Sequence, residues 1–341
     1  MVGVSRATTS ENIDRNRLVR WLEHLRRIPG GNILIVFLAI QIACIAAGLA
    51  FPTDFRYLAS ANVSVMLQAI PTLGFIALGV GVLMIAGEFD LSVGSVYTFT
   101  SIVAAALLND FSVSAWIGAP VAVAIGAAIG VSNGLITLGF ALPSFIVTLG
   151  AMLFWRGMIL LLHGALSIGF QPDPAFQYVF GESVGLLPLS FIWLALFSIG
   201  FHVMLQHRRL GNHMFAVGGD RDAAYAIGIQ PAQVKLIAFA TAGGMAAVSG
   251  VFSATRVNSI TPVGGAGLEL QAIAACVIGG LSLTGGRGSI LGIFLGAALT
   301  YTIQDVLLLM RAPGFYLDIF VGALIVAAAI LNQVTRRSAR S

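Results

Sequence analysis

The chain has 341 residues, is 58% hydrophobic and only 9% charged, and carries a formal net charge of +4. A soluble domain usually carries about 25% charged residues, and more than half of the charges here crowd into residues 1–31, 206–236 and 335–341. The rest of the chain has too few charges to wet a globular surface, and its apolar excess excludes disorder as well.

A basic tail opens the chain, with Arg6, Arg15, Arg17, Arg20, Arg26 and Arg27 ahead of the first apolar run near Ile33. That order is not the pattern of a secretory signal peptide. Leu18, Leu22 and Leu25 recur at helical spacing beside Trp21 and Ile28. The spacing predicts a short helix on the cytoplasmic lipid surface; a tail ordered only by packing is the alternative.

Ten apolar segments follow, at roughly 32–52, 62–86, 95–108, 114–139, 144–163, 188–205, 236–256, 268–283, 289–308 and 316–334. A helical span takes about 20 apolar residues, and only helices or closed barrels satisfy the backbone in lipid. These runs are too long and too evenly apolar for the roughly 10-residue alternating strands of a barrel. The expected fold is an all-α polytopic membrane protein with about ten transmembrane segments, some short or broken. Residues 32–334 form the membrane domain, with the charged loop 206–236 inside it and basic tails at 1–31 and 335–341. The runs 95–108 and 268–283 are short, and short glycine-interrupted helices commonly line a substrate path.

Lys and Arg set the orientation. With the N-terminus inside, fourteen of the 18 basic residues fall inside, and Arg56, Arg256 and Arg311 fall outside. Arg156 lies within the fifth run. Both termini are therefore expected in the cytoplasm, and basic residues so placed suit a lipid surface better than nucleic acid. Gly126, Gly130 and Gly134 form a stripe on the fourth span, as do Gly292 and Gly296 on the ninth. Such small faces let helices approach closely, within the chain or in a dimer. Cys44 and Cys276 lie in apolar runs and read as unpaired packing residues.

Three stretches carry chemistry. Gly87-Glu88-Phe89-Asp90-Leu91-Ser92-Val93-Gly94-Ser95 puts two carboxylates at breaks between apolar helices. An ionised carboxylate in hydrocarbon is costly, so it belongs at an aqueous edge, in a cavity or on a helix N-terminus. Asp90, Ser92 or Ser95 can cap the next helix; a polar path or a cytoplasmic gate is the other reading. In the inside loop, Asp220 or Asp222 can start a short helix that Gly228 ends. Ala223, Ala224 and Ile227 would give it an apolar face for a partner's groove, or the helix is simply a solvated connection. Gly264-Gly265-Ala266-Gly267-Leu268-Glu269-Leu270-Gln271 and Gly279-Gly280-Leu281-Ser282-Leu283-Thr284-Gly285-Gly286-Arg287-Gly288-Ser289 flank one short helix. Glu269 and Gln271 are expected at its outer mouth, as a cavity rim or as ordinary capping groups.

Taken in this order, the three stretches resemble the permeases of bacterial ATP-driven sugar importers, the family of the ribose, xylose, arabinose and galactose permeases. The resemblance covers nearly the whole chain after about residue 32. GEFDLSVGS stands where that family usually has GGIDLSVGS, so Glu88 replaces a glycine. AVGGDRDAAYAIGI, LQAIAACVIGGLSLTGGRGSILG and LPSFIVTLGAM also match the family's style. Branched-chain amino-acid permeases are more distant relatives that share the late glycine-rich segment.

The resemblance implies the fold of the cobalamin importer, the type II importer architecture, with a second permease copy completing a central path in the bacterial inner membrane. It implies a periplasmic sugar-binding protein outside and an ATP-binding subunit inside. The ATPase would dock on the short helix, so Asp220, Arg221, Asp222, Ala223, Ala224, Tyr225, Ile227 and Gly228 are coupling candidates. Sugars need hydroxyl-pairing groups and aromatic faces. Asn133, Ser144, Phe145, Thr148 and Gln68 are candidates on the spans, and Glu88, Asp90, Ser92, Glu269 and Gln271 are candidates at the path or gate. Each also suits a packing or interhelical role. Arg56, Arg256 and Arg311 are expected to meet carboxylates of the binding protein.

A P-loop requires G-x-x-x-x-G-K-[ST]. The sole lysine, Lys235, follows Pro231-Ala232-Gln233-Val234, so no ATP site is expected in this chain, and ATP-Mg belongs to a partner. A secondary transporter or channel is the alternative; ion coupling would want ionisable groups near midplane, for which Arg156 is the one strong candidate, Asp305 falling nearer an outer end. An intramembrane enzyme is disfavoured: there is no H-E-x-x-H, and the five histidines form no cluster.

Overall fold

The computed structural model describes residues 30–338. The interfacial helix expected at Leu18, Leu22 and Leu25 lies outside the described residues. The first half of the membrane body consists of α1 (Gly31–Ala50), α2 (Ser60–Ile85), α3 (Val93–Asn109), α4 (Ala115–Gly139) and α5 (Ser144–His163). After α6 (Pro174–Gly181) come α7 (Leu189–His207), α8 (Arg209–Gly219), α9 (Arg221–Ala226) and α10 (Pro231–Val257). The chain finishes with α11 (Leu268–Ile278), α12 (Ile290–Leu309) and α13 (Phe315–Ser338). Strand is confined to two-residue ladders. β1 (Ile168–Gly169) pairs antiparallel with β4 (Ser259–Ile260), and β2 (Ser183–Val184) pairs with β3 (Leu187–Pro188).

Each of the ten apolar runs holds a helix, and seven of those helices are long and apolar enough to cross a membrane. The two runs read as short are α3, with 17 residues, and α11, with 11. At about 1.5 Å per residue, α11 is roughly 16 Å long, about half of a hydrocarbon core of roughly 30 Å. It stops at Ile278, well before the end of its apolar run, because Gly280 takes a left-handed φ of 85°.

The centre of the body is α2, whose residues from Leu73 to Ile85 are all buried, packed against α10 and α12. The most extensive helix pairing is between α4 and α10. A Cβ on Gly126 would run into the carbonyl of Gly243, and one on Gly130 into that of Phe239. The glycine stripe read from the sequence therefore packs within the chain, where small residues let two backbones touch. Gly292 and Gly296 likewise seat α12 against Gly279 and Ala275. Cys44 and Cys276 are buried and unpaired.

Two features between the spans are absent from the sequence reading. Residues 164–187 hold α6, started by Asp173, whose carboxylate accepts from the N–H groups of Ala175 and Phe176. Phe176 and Phe180 of that helix pack edge-to-face on Trp116, and Phe180 also stacks on Trp193 and meets Phe252 edge-on, which closes that end of the bundle. Helix α8 precedes the short helix that was expected and buries Gly211, Met214 and Val217.

Candidate functional site

Three glycine-bearing turns meet at the end of the bundle that carries residues 206–236. Helix α2 ends with Gly87 at φ 85°, while Glu88 N–H bonds to Leu83 O and Gly87 N–H to Met84 O. That is the left-handed glycine ending known as the Schellman motif, and α9 ends the same way at Gly228. Gly286 N–H donates to Ile85 O at 2.9 Å, and a Cβ on Gly218 would strike that same carbonyl. Segments 85–88, 218–219 and 284–287 thus touch backbone to backbone. The carboxyl end of α8, just before the short helix, is seated on the breaks between two pairs of spans.

Helix α9 is started by Asp220, whose carboxylate accepts from Asp222 N–H at 3.0 Å and Ala223 N–H at 2.9 Å. The expected apolar face of Ala223, Ala224 and Ile227 is corrected by the packing. Ala224 is buried and pins the helix, while Ala223 is exposed with Tyr225 (71%) and Ile227 (75%). Residues 100° apart on a helix cannot all share one face when the innermost is spent on the protein. Asp220, Arg221, Asp222 and Gly228 are exposed as well.

Glu88 and Lys235 form an ion pair at 2.5 Å, with side chains 13% and 10% exposed. Lys235 sits on the buried face of α10 with Val234, Ala238 and Phe239. The sequence placed it in a cytoplasmic loop; the structure packs it into the first turns of α10. Two residues on, Asp90 is fully buried. Its Oδ1 accepts from Ser92 N–H (2.7 Å) and Ser92 Oγ (2.6 Å). Asn133 Nδ2 of α4 donates to Ser92 Oγ at 2.9 Å and reaches Asp90 Oδ2 at 3.5 Å.

The capping expectation is corrected here. Asp90 closes a turn one residue before α3 rather than accepting from the helix's own first N–H groups. Ser92, the N-cap residue, makes no side-chain cap bond, and Ser95 Oγ donates to Met152 O of α5. Ser144 Oγ accepts from Phe89 N–H at 3.1 Å, and Thr148 bonds back to Ser144 O. Glu88, Asp90, Ser92, Asn133, Ser144 and Thr148 therefore form one polar belt. Phe145 is outside it, 53% exposed on the far side of α5, and Gln68 bonds only to Ser64 in its own helix.

Glu269 and Gln271 are not at an outer mouth. Glu269 lies in the first turn of the half-length α11, buried, and its Oε1 is 3.7 Å from Arg156 Nη2 and accepts from Gly267 N–H at 3.2 Å. Arg156 lies twelve residues into α5, roughly 18 Å from its N-terminal end by helical rise, so both residues stand about half-way along the bundle. Gln271 is half-buried nearby. Here the two broken segments meet, with Gly94 against Gly265 and Thr98 Oγ1 accepting from Gly265 N–H. From the sequence Arg156 is only an ion-coupling candidate. Asp305 is buried and accepts from Asn62 Nδ2 at 2.9 Å, tying α12 to α2.

Arg56 and Arg311 are exposed at the opposite end of the bundle, and Arg256 is half-buried at the end of α10. Arg311 borders a cleft of about 730 Å³ between α1 and α12. Among the described residues no group of three or more His, Cys, Asp or Glu side chains could hold a metal ion.

The sequence pattern of one family, described as "Branched-chain amino acid transport system / permease component", matches residues 62–329. The chain belongs to this family. It is the permease subunit of an ATP-driven importer, a multi-pass protein of the inner membrane and a transport component rather than an enzyme. Such a permease implies an ATPase subunit and a periplasmic binding protein. Among its relatives are three proteins named autoinducer 2 import system permease protein LsrC. The one from Enterobacter sp. (strain 638) is 32% identical over 89% of this chain and 86% of its own. That of Klebsiella pneumoniae subsp. pneumoniae is 34% identical over 77% and 76%, and that of Escherichia coli K12 is 28% identical over 90% and 89%. No solved structure matches. The resemblance to sugar-importer permeases read from the three motifs is thereby upheld at the level of the family.

Proposed function

We propose that this permease passes a small sugar-like molecule, of the kind its relatives' names indicate, from a periplasmic binding protein to the cytoplasm. Supporting this reading is the way an exposed short helix, α9, follows directly on the carboxyl end of α8, which touches the breaks in the spans backbone to backbone. In the proposed arrangement two permease copies enclose the path, all ten apolar helices enter the membrane as in the cobalamin importer, and both termini are cytoplasmic. ATP-Mg is bound by the partner ATPase. The polar belt of Glu88, Asp90, Ser92, Asn133, Ser144 and Thr148 forms the inner gate.

The test is to purify the permease with its ATPase and offer it candidate binding proteins loaded with autoinducer 2, ribose or leucine. Stimulated ATP hydrolysis by a sugar-like load supports the reading; stimulation by leucine alone overturns it in favour of amino-acid transport.

Two predictions concern the docking faces. Tyr225→Ala with Ile227→Ala is expected to weaken ATPase association at least tenfold, because these are the large apolar side chains that α9 presents outward. Asp220→Ala should act more mildly, since it removes a cap worth about 1 kcal/mol. Pull-down of the ATPase with quantified permease checks both. At the other end, neutralising Arg56, Arg256 and Arg311 together should weaken binding-protein docking at low salt and have less effect at high salt, because exposed charges are screened. Unchanged affinity at low salt would remove that role.

A further inference from the structure

Helix α5 is the least buried of the helices that adjoin the polar belt: only Ser144, Thr148 and Ile159 are buried. Its open face is apolar at Phe145, Leu149, Leu153 and Leu160. Gly150 and Gly157 leave hollows there, since a Cβ on either meets nothing. Arg156 interrupts this face. Its side chain is 34% exposed, and its one ionic partner, Glu269, is 8% exposed and 3.7 Å away, beyond hydrogen-bond reach. Among the described residues no hydrogen bond engages the guanidinium, which carries five N–H donors.

A partly exposed arginine half-way across a bilayer cannot be left facing lipid tails; such groups face a water-filled cavity or the interior of the bundle. Glu269 does not share that exposure. Its Oε1 accepts from Gly267 N–H, and its Oε2 is buried without a partner beneath Gly94. The carboxylate is therefore an anchor, and the guanidinium is the group left to meet something else.

We infer that Arg156 is a mid-depth contact for the transported molecule, donating N–H bonds to the oxygens of a small, uncharged, polyhydroxylated substrate as it passes along α5. Glu269 is a positioning residue: it offsets the charge, so that the site does not trap anions, and it holds the guanidinium toward the open face. Gly157 provides the room beside it. With donors from a single side chain the contact is weak, as a group that must release its ligand requires. This inference rests on the sugar-like substrate proposed above.

The experiment uses the full complex of permease, ATPase and binding protein in proteoliposomes, with radiolabelled autoinducer 2 and ribose as probes. Arg156→Gln is expected to lower uptake about tenfold and to raise the ATP hydrolysed per molecule carried by a similar factor. Arg156→Lys should restore part of the loss. Equal falls in uptake and hydrolysis, together with a lowered unfolding temperature, would show a structural role only and overturn the inference. In parallel, Gly157→Cys should react with a permanently charged methanethiosulfonate reagent, and the parent chain, whose two cysteines are buried, serves as the blank. Reaction with a lipid-soluble maleimide alone would show that this face meets lipid and would also overturn it. If the wild-type complex carries leucine and neither sugar-like probe, the substrate reading fails instead. The charged-reagent result still reports separately whether the α5 face borders water.

Discussion

Lys235→Met is expected to destabilise the permease by about 3–5 kcal/mol, toward the lower end because both members of the pair keep a little solvent contact. The lysine is held on the buried face of α10 and spends its charge on Glu88. Removing it leaves a carboxylate confined between the end of α2 and the first turns of α10, with its desolvation uncompensated. Glu88→Leu alone should cost a comparable amount, since it strands the ammonium group. The double variant Glu88→Leu with Lys235→Met should recover most of the loss, because exchanging a buried pair for apolar groups of similar size is often neutral or stabilising. Thermal unfolding of the purified permease in detergent measures all three. If the double variant simply sums the two single losses, the residues are not coupled. The pair also explains how a chain with Glu88 in place of the family's usual glycine keeps that turn: the extra charge has its own counterion.

Gly130→Ala is expected to have the next largest effect, about 1–3 kcal/mol or more, as for other overpacked cores. The added methyl group would run into the carbonyl of Phe239, and backbone cannot swing aside as the end of a side chain can. Helices α4 and α10 would have to separate, drawing Asn133 away from Ser92 and loosening the polar belt. Gly139→Ala, on the same helix, is the matched control, since its Cβ meets nothing. Detergent-resistant folded protein should fall for the first and not for the second. Equal behaviour of the two would mean that the close contact of α4 and α10 does not limit stability.

Several features could be read directly along the chain. Long apolar runs become helices because lipid leaves the backbone no other partner, and all ten runs do so. Asp220 and Gly228 bracket α9 because capping and a left-handed ending need only near neighbours. The stripe of Gly126, Gly130 and Gly134 signalled close packing, although its partners, Gly243 and Phe239, did not show. Helix α8 was missed because Arg209, Gly211, Asn212 and Gly219 dilute its apolar face. The aromatic cap around Phe176 and Phe180 was missed because it joins segments far apart.

The charged residues divide most clearly between the two levels. By itself, the sequence determined that this is a polytopic helical membrane protein, and it set the positions of the apolar helices and the family. These follow from transfer free energy and backbone geometry, which add up locally. Only the tertiary structure decided what its ionisable groups do. Glu88 finds Lys235 across 147 positions, Glu269 finds Arg156, and Asp305 finds Asn62. A charge in a low-dielectric interior is governed by whichever group packing brings within a few ångströms, and no periodicity along a chain encodes that distance.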